Sequence, residues 1–143
     1  MLLLAFLLTG ACAVNGDVSG EVPVTVPFRT VANDAYAKNT EVTAKTAFDV
    51  DTYRAMWDEL VGAGTPPAVD FPSESAVFLF GGQRPTGGYK YEVRGVTMKG
   101  DQLLVDARVT APPRGAIVTM ALTSPYAVIA VKARGFRMVV ANQ

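Results

Sequence analysis

Two short, uninterrupted runs of apolar residues constrain the fold of this chain more than any other feature. Residues 76–80 have the sequence Ala-Val-Phe-Leu-Phe, and residues 126–131 are also apolar throughout. Runs of this kind, set off by turn-forming residues, are typical of strands that are buried on both faces. We therefore predict a sheet with residues 76–80 at its centre and residues 126–131 as a further strand.

Four other segments have the composition of short strands: residues 22–31, 41–48, 116–122 and 136–140. The first of these contains Pro23 and Pro27, which cannot donate hydrogen bonds to a neighbouring strand. We therefore predict that it forms an edge strand or a segment that wraps around the domain.

One helix is predicted, at about residues 50–62. Apolar residues recur there at helical spacing and form a single stripe, made of Tyr53, Met56, Trp57, Leu60 and Val61. Asp49 or Asp51 supplies the N-cap oxygen, and Gly62 or Gly64 ends the helix. A stripe on one face indicates that the helix packs on a sheet.

Together these elements predict a mainly β (α+β) fold with seven or eight short, mostly antiparallel strands. The strands would form a sandwich or a barrel-like sheet against which the helix packs. The chain has 143 residues, of which 50% are hydrophobic and 18% charged, which suits one ordered domain. We predict that this domain spans residues 22–143.

Residues 89–98 and 103–110 predict a β-hairpin with a tight turn between them. Counted back from that turn without a break, the register would place Val93 opposite the charged Arg108. An extra residue at Gly95, in a β-bulge, restores the alignment. The predicted pairs are then Met98 with Leu103, Val96 with Val105, Val93 with Ala107, Tyr91 with Val109, Glu92 with Arg108 and Arg94 with Asp106. The last two join opposite charges, each pair contributing about 0.2–1 kcal/mol.

The densest turn chemistry lies in one loop, made of Arg84, Pro85, Thr86, Gly87, Gly88 and Tyr89. Pro85 presets φ for the first corner of a turn, and the two glycines allow positive φ. These features suit two roles, a stiff hairpin connection between strands or a pre-shaped loop that binds a partner. The turn residues alone leave both roles open.

The chain begins with an apolar run that is too short to span a bilayer and suits a signal peptide, predicted as residues 1–11. Small residues then lead into the only cysteine, Cys12. This arrangement resembles the lipobox of bacterial lipoproteins, which implies lipidation of Cys12 and a membrane anchor. An ordinary secretory signal with an incidental cysteine is the alternative. We expect an extracytoplasmic protein, in the periplasm or outer envelope of a bacterium, with residues 12–21 as its lipidated N-terminus and tether.

The reactive side chains argue against catalysis. The chain has no histidine, which removes Ser-His and Cys-His nucleophile activation and the commonest metal ligand. The candidate carboxylate pairs are Asp49 with Asp51, Asp58 with Glu59, and Asp70 with Glu74. We predict a non-catalytic binding module with no metal and no cofactor. A weak carboxylate hydrolase or ligand binder is an alternative that requires two carboxylates to converge in a cleft.

The charge balance bears on the kind of partner. Thirteen basic and 13 acidic residues give a formal net charge of zero, so no nucleic-acid partner is expected.

Three motifs suggest a known family: Gln-Arg-Pro-Thr-Gly-Gly-Tyr at 83–89, Pro-Pro-Arg-Gly at 112–115 and Leu-Thr-Ser-Pro-Tyr at 122–126. They resemble the C-terminal domain of the bacterial protease-complex subunit PrcB, and residues 27–28 and 53–57 resemble the region preceding it in similar lipoproteins. The resemblance implies a lipoprotein that accompanies or stabilises a secreted protease or envelope complex without cleaving anything itself. Such an accessory protein predicts an exposed apolar patch larger than a few hundred Å².

Residues 85–91 are also similar to the Pro-Thr-Thr-Gly-Tyr-x-Trp loop of chagasin-like cysteine-protease inhibitors. Arg134, Gly135 and Phe136 loosely echo a second loop of that family. This resemblance implies an immunoglobulin-like sandwich that inserts such loops into a protease cleft. Inhibition would require the two loops to project side by side as one wedge.

Overall fold

The computed structural model describes residues 21–141, which contain eight strands and one helix with a π-helical continuation. The elements in chain order are β1 (Val24–Thr25), β2 (Phe28–Asp34), β3 (Val42–Ala47), α1 (Val50–Met56) with its π-helical turn (Trp57–Val61), β4 (Ser75–Gly81), β5 (Lys90–Lys99), β6 (Gln102–Thr110), β7 (Tyr126–Val131) and β8 (Arg137–Ala141). The predicted signal peptide, Cys12 and most of the predicted tether lie outside the described residues. No helix within the described range is both long and apolar enough to cross a membrane.

The strands form two four-stranded sheets that face each other. The central sheet has the order β2-β7-β4-β3 and is antiparallel throughout. The outer sheet has the order β1-β5-β6-β8, in which only β8 runs parallel to its neighbour. The predicted mainly β sandwich with a packed helix is therefore confirmed, and no closed barrel forms among the described strands.

The strands β4 and β7 lie in the middle of the central sheet and are buried along their whole length. Alternate side chains enter two different cores. Val77 and Leu79 pack between the two sheets, whereas Phe78 and Phe80 pack under the helix. The uninterrupted apolar runs of the sequence are thus explained by a three-layer arrangement that covers both faces of these strands.

The helix is held at both ends as predicted. The Asp49 side chain accepts a hydrogen bond from Thr52 N, 2.8 Å away, and so caps the first turn. Gly62 ends the π-helical turn with φ of +73° and donates its N–H to Trp57 O at 2.8 Å. Trp57 is buried, and its indole N–H donates to Ala63 O at 3.0 Å. It therefore anchors the helix on the central sheet.

In the β5–β6 hairpin, five of the six predicted pairs are opposite each other in the register, and the sixth, Arg94 with Asp106, forms as an ion pair. The bulge is confirmed, but the residue without an opposite Cα is Arg94, and Gly95 lies opposite Asp106. The position of the bulge was thus wrong by one residue. Both ion pairs form, with Arg94 and Asp106 3.0 Å apart and Arg108 and Glu92 2.9 Å apart.

Two strand predictions are corrected. The predicted strand 22–31 is divided at Pro27 into β1 of the outer sheet and β2 of the central sheet, both at sheet edges. The division occurs where proline provides no N–H for continued pairing. Residues 116–122, predicted as a short strand, are irregular. Thr119 O accepts a hydrogen bond from Gly87 N of the loop 84–89 and not from a strand.

Candidate partner-binding surface

The loop 84–89 connects β4 of the central sheet to β5 of the outer sheet. These two strands are not paired with each other, so the interpretation of the loop as a hairpin connection was wrong. The loop crosses from one layer of the sandwich to the other, and the irregular segment 111–125, here called the arm, runs alongside it.

Four hydrogen bonds fasten the loop to the arm. Arg84 and Thr123 exchange two backbone bonds, of 2.7 and 3.0 Å. Gly87 N donates to Thr119 O at 2.8 Å, and the Thr123 hydroxyl donates to Thr86 O at 2.7 Å. These four bonds connect the loop and the arm, so the two segments form one structural unit.

Gly88 is required by the close approach of the arm. Its φ is +84°, and a Cβ added to it would lie 2.8 Å from Pro112 Cβ and 3.0 Å from a Val118 methyl. A larger residue would therefore force the loop and the arm apart.

Arg84 stiffens the start of the loop. Its guanidinium donates to Gly81 O at 2.8 Å, and its central carbon lies 5.7 Å from the centroid of the Tyr89 ring. The distance and position correspond to a cation–π contact. The first and last residues of the loop thus hold each other.

The arm exposes large apolar side chains. Ile117 is fully exposed, and Met120 and Leu122 are 86% and 63% exposed; these three residues are here called the apolar tip. Tyr36 is 57% exposed and joins the arm through a bridge to Ser124. Apolar side chains grouped on one shaped segment are typical of a surface that binds another protein.

A groove with a volume of about 780 Å³ lies beside the same loop, between β2 and the beginning of β5. Its lining includes Asn33, Tyr89, Lys90, Tyr91 and Thr110. The Asn33 amide crosses the groove and donates to Tyr91 O at 2.7 Å. Tyr89 therefore belongs both to the predicted loop and to the wall of the groove.

The predicted second loop lies at the opposite end of the sandwich. Loop 84–89 follows the end of β4, where Phe80 pairs with Tyr126, whereas Arg134, Gly135 and Phe136 follow the end of β7, where Val131 pairs with Ser75. The two loops therefore do not form the single wedge that a chagasin-like inhibitor would require.

The side chains of the second loop make contacts within the domain. Arg134 donates hydrogen bonds to Phe71 O and Phe48 O, and Phe136 is buried with its ring 5.2 Å from that of Phe48. The loop connects the two layers; Phe136 is buried in it, whereas Arg134 is exposed.

The candidate carboxylates have structural partners. Asp49 caps the helix, and the Asp70 carboxylate accepts from the Ser73 hydroxyl at 2.6 Å. Glu74 is buried and binds Arg29 at 2.8 Å, and this hydrogen bond lowers the pKa of its carboxyl below the usual value. Within residues 21–141, no group of three His, Cys, Asp or Glu residues is placed to hold a metal ion.

The other members of the predicted pairs are exposed: Asp51, Asp58 and Glu59. Asp51 lies in the first turn of the helix, where a negative charge is favourable. Asp58 and Glu59 follow each other on the exposed side of the π-helical turn. These positions suit helix stabilisation and solubility.

Comparison with protein families bears on this region of the chain. Residues 75–132 match the family model described as PrcB C-terminal. The match confirms the resemblance to the PrcB C-terminal domain for this segment. The segment runs from the start of β4 to just beyond β7, so it contains the loop, the hairpin and the arm with its apolar tip. Comparisons with curated proteins and with solved structures found no match.

The apolar tip and the groove were not predicted from the sequence. Pro112 and Pro113 near the start of the arm and Pro125 at its end provide no backbone N–H for a sheet. They are the signal in the sequence that this segment is irregular. The groove has no such signal, because it is formed by strands of two different sheets that meet only in the folded protein.

Proposed function

We propose that this protein is a non-catalytic extracytoplasmic lipoprotein that binds and stabilises a secreted or envelope protease complex. The match of residues 75–132 to the PrcB C-terminal model supports the accessory role. The resemblance of residues 9–12 to a lipobox supports the anchor at Cys12 and the location outside the cytoplasmic membrane. The structural roles of the candidate carboxylates favour binding over catalysis.

The apolar tip is the observation that carries the proposal. Ile117, Met120 and Leu122 lie inside the matched segment and are exposed. The arm that carries them is bonded to the loop through Thr119 and Thr123. Removing such side chains from water on a partner's surface contributes about 25 cal/mol per Å² of apolar area. A shaped arm also loses less conformational freedom on binding than a flexible one.

The test is cross-linking and affinity capture of the full chain from detergent extracts of its own host cells. A double variant, Ile117→Ser with Met120→Ser, removes the apolar tip. The matched control is Val22→Ser with Val24→Ser. These residues are 80% and 64% exposed and lie near the β5–β6 turn, at the other end of β5. Cys12→Ala tests the anchor.

The wild type and the Val22/Val24 control are expected to capture the same protease or protease-complex subunit. The tip variant is expected to capture at least about tenfold less, as is usual when central apolar contacts are lost. Cys12→Ala should release the protein from the membrane fraction. Recovery of no protease component, or equal capture by the tip variant, would overturn the proposal.

A further inference from the structure

Along about half of strand β5, one edge pairs with no strand in the described part of the chain. β1 pairs with β5 only at Thr97 and Met98, with one more hydrogen bond from Val26 N to Val96 O at 2.9 Å. After Pro27 the chain continues into the central sheet. Among residues 21–141, the beginning of β5 therefore has a strand neighbour on one side only, β6. This free edge forms one wall of the 780 Å³ groove.

The polar backbone groups of two residues point into the groove. The bond from Asn33 Nδ2 to Tyr91 O shows that the carbonyl of Tyr91 faces away from β6. In an antiparallel strand the N–H and C=O of one residue point to the same side, and the side alternates along the chain. Tyr91 and Val93 therefore present their backbone donors and acceptors to the groove, while Lys90 and Glu92 face β6.

We propose that the groove binds an extended peptide segment of another protein, which pairs antiparallel with β5 and continues the line of β1. A row of backbone donors and acceptors beside a cleft is complementary to a peptide strand. The strand β1 already shows how an antiparallel neighbour sits on this edge. In the free protein the Asn33 amide donates to the Tyr91 carbonyl. On binding, a peptide N–H would replace it as the donor to this carbonyl.

The side chains along the edge define the composition of the peptide. Tyr91 and Val93 direct their side chains to the core, so the peptide residues opposite them face inward and should be apolar and β-branched. On the outer face Glu92 is bound to Arg108, whereas the Lys90 ammonium has no ion pair among residues 21–141. An outward acidic residue near Lys90 therefore complements the edge.

The probe is a fluorescent peptide of alternating Thr and Val with one central Glu, titrated into the full chain in mild detergent. In an antiparallel pair of strands, two opposite residues whose N–H and C=O groups point toward each other form two hydrogen bonds, one in each direction. The inward Val residues should therefore bond with Tyr91 and Val93. N-methylation of all Val amides is expected to weaken binding at least about tenfold, whereas N-methylation of the other amides changes it less than about threefold.

Two measurements on the protein accompany the titration. Hydrogen exchange at the amides of Tyr91 and Val93 should slow at least about tenfold when the peptide binds, with no change at Lys90 and Glu92, which already face β6. Lys90→Glu should weaken binding of the acidic peptide, whereas the matched control Lys99→Glu, at the far end of the same strand, should not. Absence of binding, or equal effects of the two methylation patterns, would overturn the inference.

A backbone variant gives a further test. Val93→Pro removes one N–H from the free edge, a position at which a strand tolerates proline, and should reduce binding about tenfold. If this variant fails to fold, the comparison of the two N-methylated peptides with the wild-type protein still tests the inference. The tip variant should bind the peptide normally, so failure in the groove and failure of the proposed accessory function are distinguishable.

Discussion

The central and outer sheets have the same number of strands but are built from different sequence patterns. Every residue of β4 in the central sheet is buried, whereas β5 in the outer sheet alternates between buried and exposed residues. The helix covers the second face of the central sheet, while the second face of the outer sheet carries ion pairs in water.

The difference shows where the stabilising contacts lie and which surfaces stay exposed. Apolar burial on two faces concentrates the stabilising free energy in β4 and β7. The outer sheet, packed on one face, supplies what a partner can reach: a free strand edge and, through the loop and the arm, an exposed apolar tip. Five predictions test this division.

The largest effect is expected from Phe78→Ala. The Phe78 ring is fully buried under the helix, 5.6 Å from the ring of Tyr53. Its removal therefore leaves a cavity between the helix and the central sheet. The free energy of unfolding should fall by about 3–5 kcal/mol, measured by chemical denaturation. Val139→Ala on the outer sheet, at a 43% exposed position, is the control and should cost less than about 1 kcal/mol. Similar losses of unfolding free energy in the two variants would show that the two sheets do not differ in their contribution to stability.

The second largest effect on stability is expected from the buried carboxylate of Glu74, directly before β4. Glu74 accepts two hydrogen bonds from Arg29, of 2.8 and 3.1 Å, and one from Asp70 N. Glu74→Ala leaves both donors without their acceptor and should lower the free energy of unfolding by about 1.5–3 kcal/mol. Glu59→Ala, on the exposed side of the helical segment, should change it by less than about 0.5 kcal/mol.

The same carboxylate should impose a pH dependence. The hydrogen bond from Arg29 lowers the pKa of Glu74 in the folded protein. Its contribution is therefore fully present above the unfolded pKa of about 4.3 and is lost as the pH falls through the lower folded value. The difference in unfolding free energy between wild type and Glu74→Gln should be constant near neutral pH and shrink below about pH 4.3. A difference that grows on acidification would contradict the depressed pKa.

A smaller effect is expected on the outer face of the hairpin. Arg94 and Asp106 are both exposed and lie 3.0 Å apart at the bulge. A double-mutant cycle of Arg94→Ala and Asp106→Ala should give a coupling free energy of about 0.2–1 kcal/mol that decreases in high salt. A coupling as large as the loss in Glu74→Ala would show that the outer face stabilises the fold as much as the central sheet.

The smallest effect is expected from Tyr91→Phe. The Tyr91 hydroxyl is buried between the sheets without a hydrogen-bond partner in the described part of the chain, and burial raises its pKa. Removing an unpaired buried hydroxyl relieves a desolvation cost. Thermal unfolding should show a melting temperature that is unchanged or raised. A clear decrease would show that the hydroxyl has a stabilising partner.

Much of the architecture was predictable because local patterns agreed with it. The apolar runs gave β4 and β7 in their places, the stripe on the helix matched its buried face, and charge and size matching located the bulge within one residue. The predictions failed where the outcome depended on distant segments. Residues 116–122 have a strand-like composition, but the arm bonds to the loop 84–89 and leaves Ile117 in water.

The loop 84–89 shows most clearly which features follow from the local sequence and which follow from tertiary contacts. By itself the sequence determined that this loop is tightly shaped, since proline and glycine restrict or permit backbone angles whatever surrounds them. It also determined which strands are buried on two faces, because burial requires apolar residues at every position. Only the tertiary structure decided that the loop joins two different sheets and that the arm packs on Gly88. It also decided that, within residues 21–141, β1 covers only part of the second edge of β5. These contacts join segments far apart in the chain, and local backbone preferences do not specify such pairings.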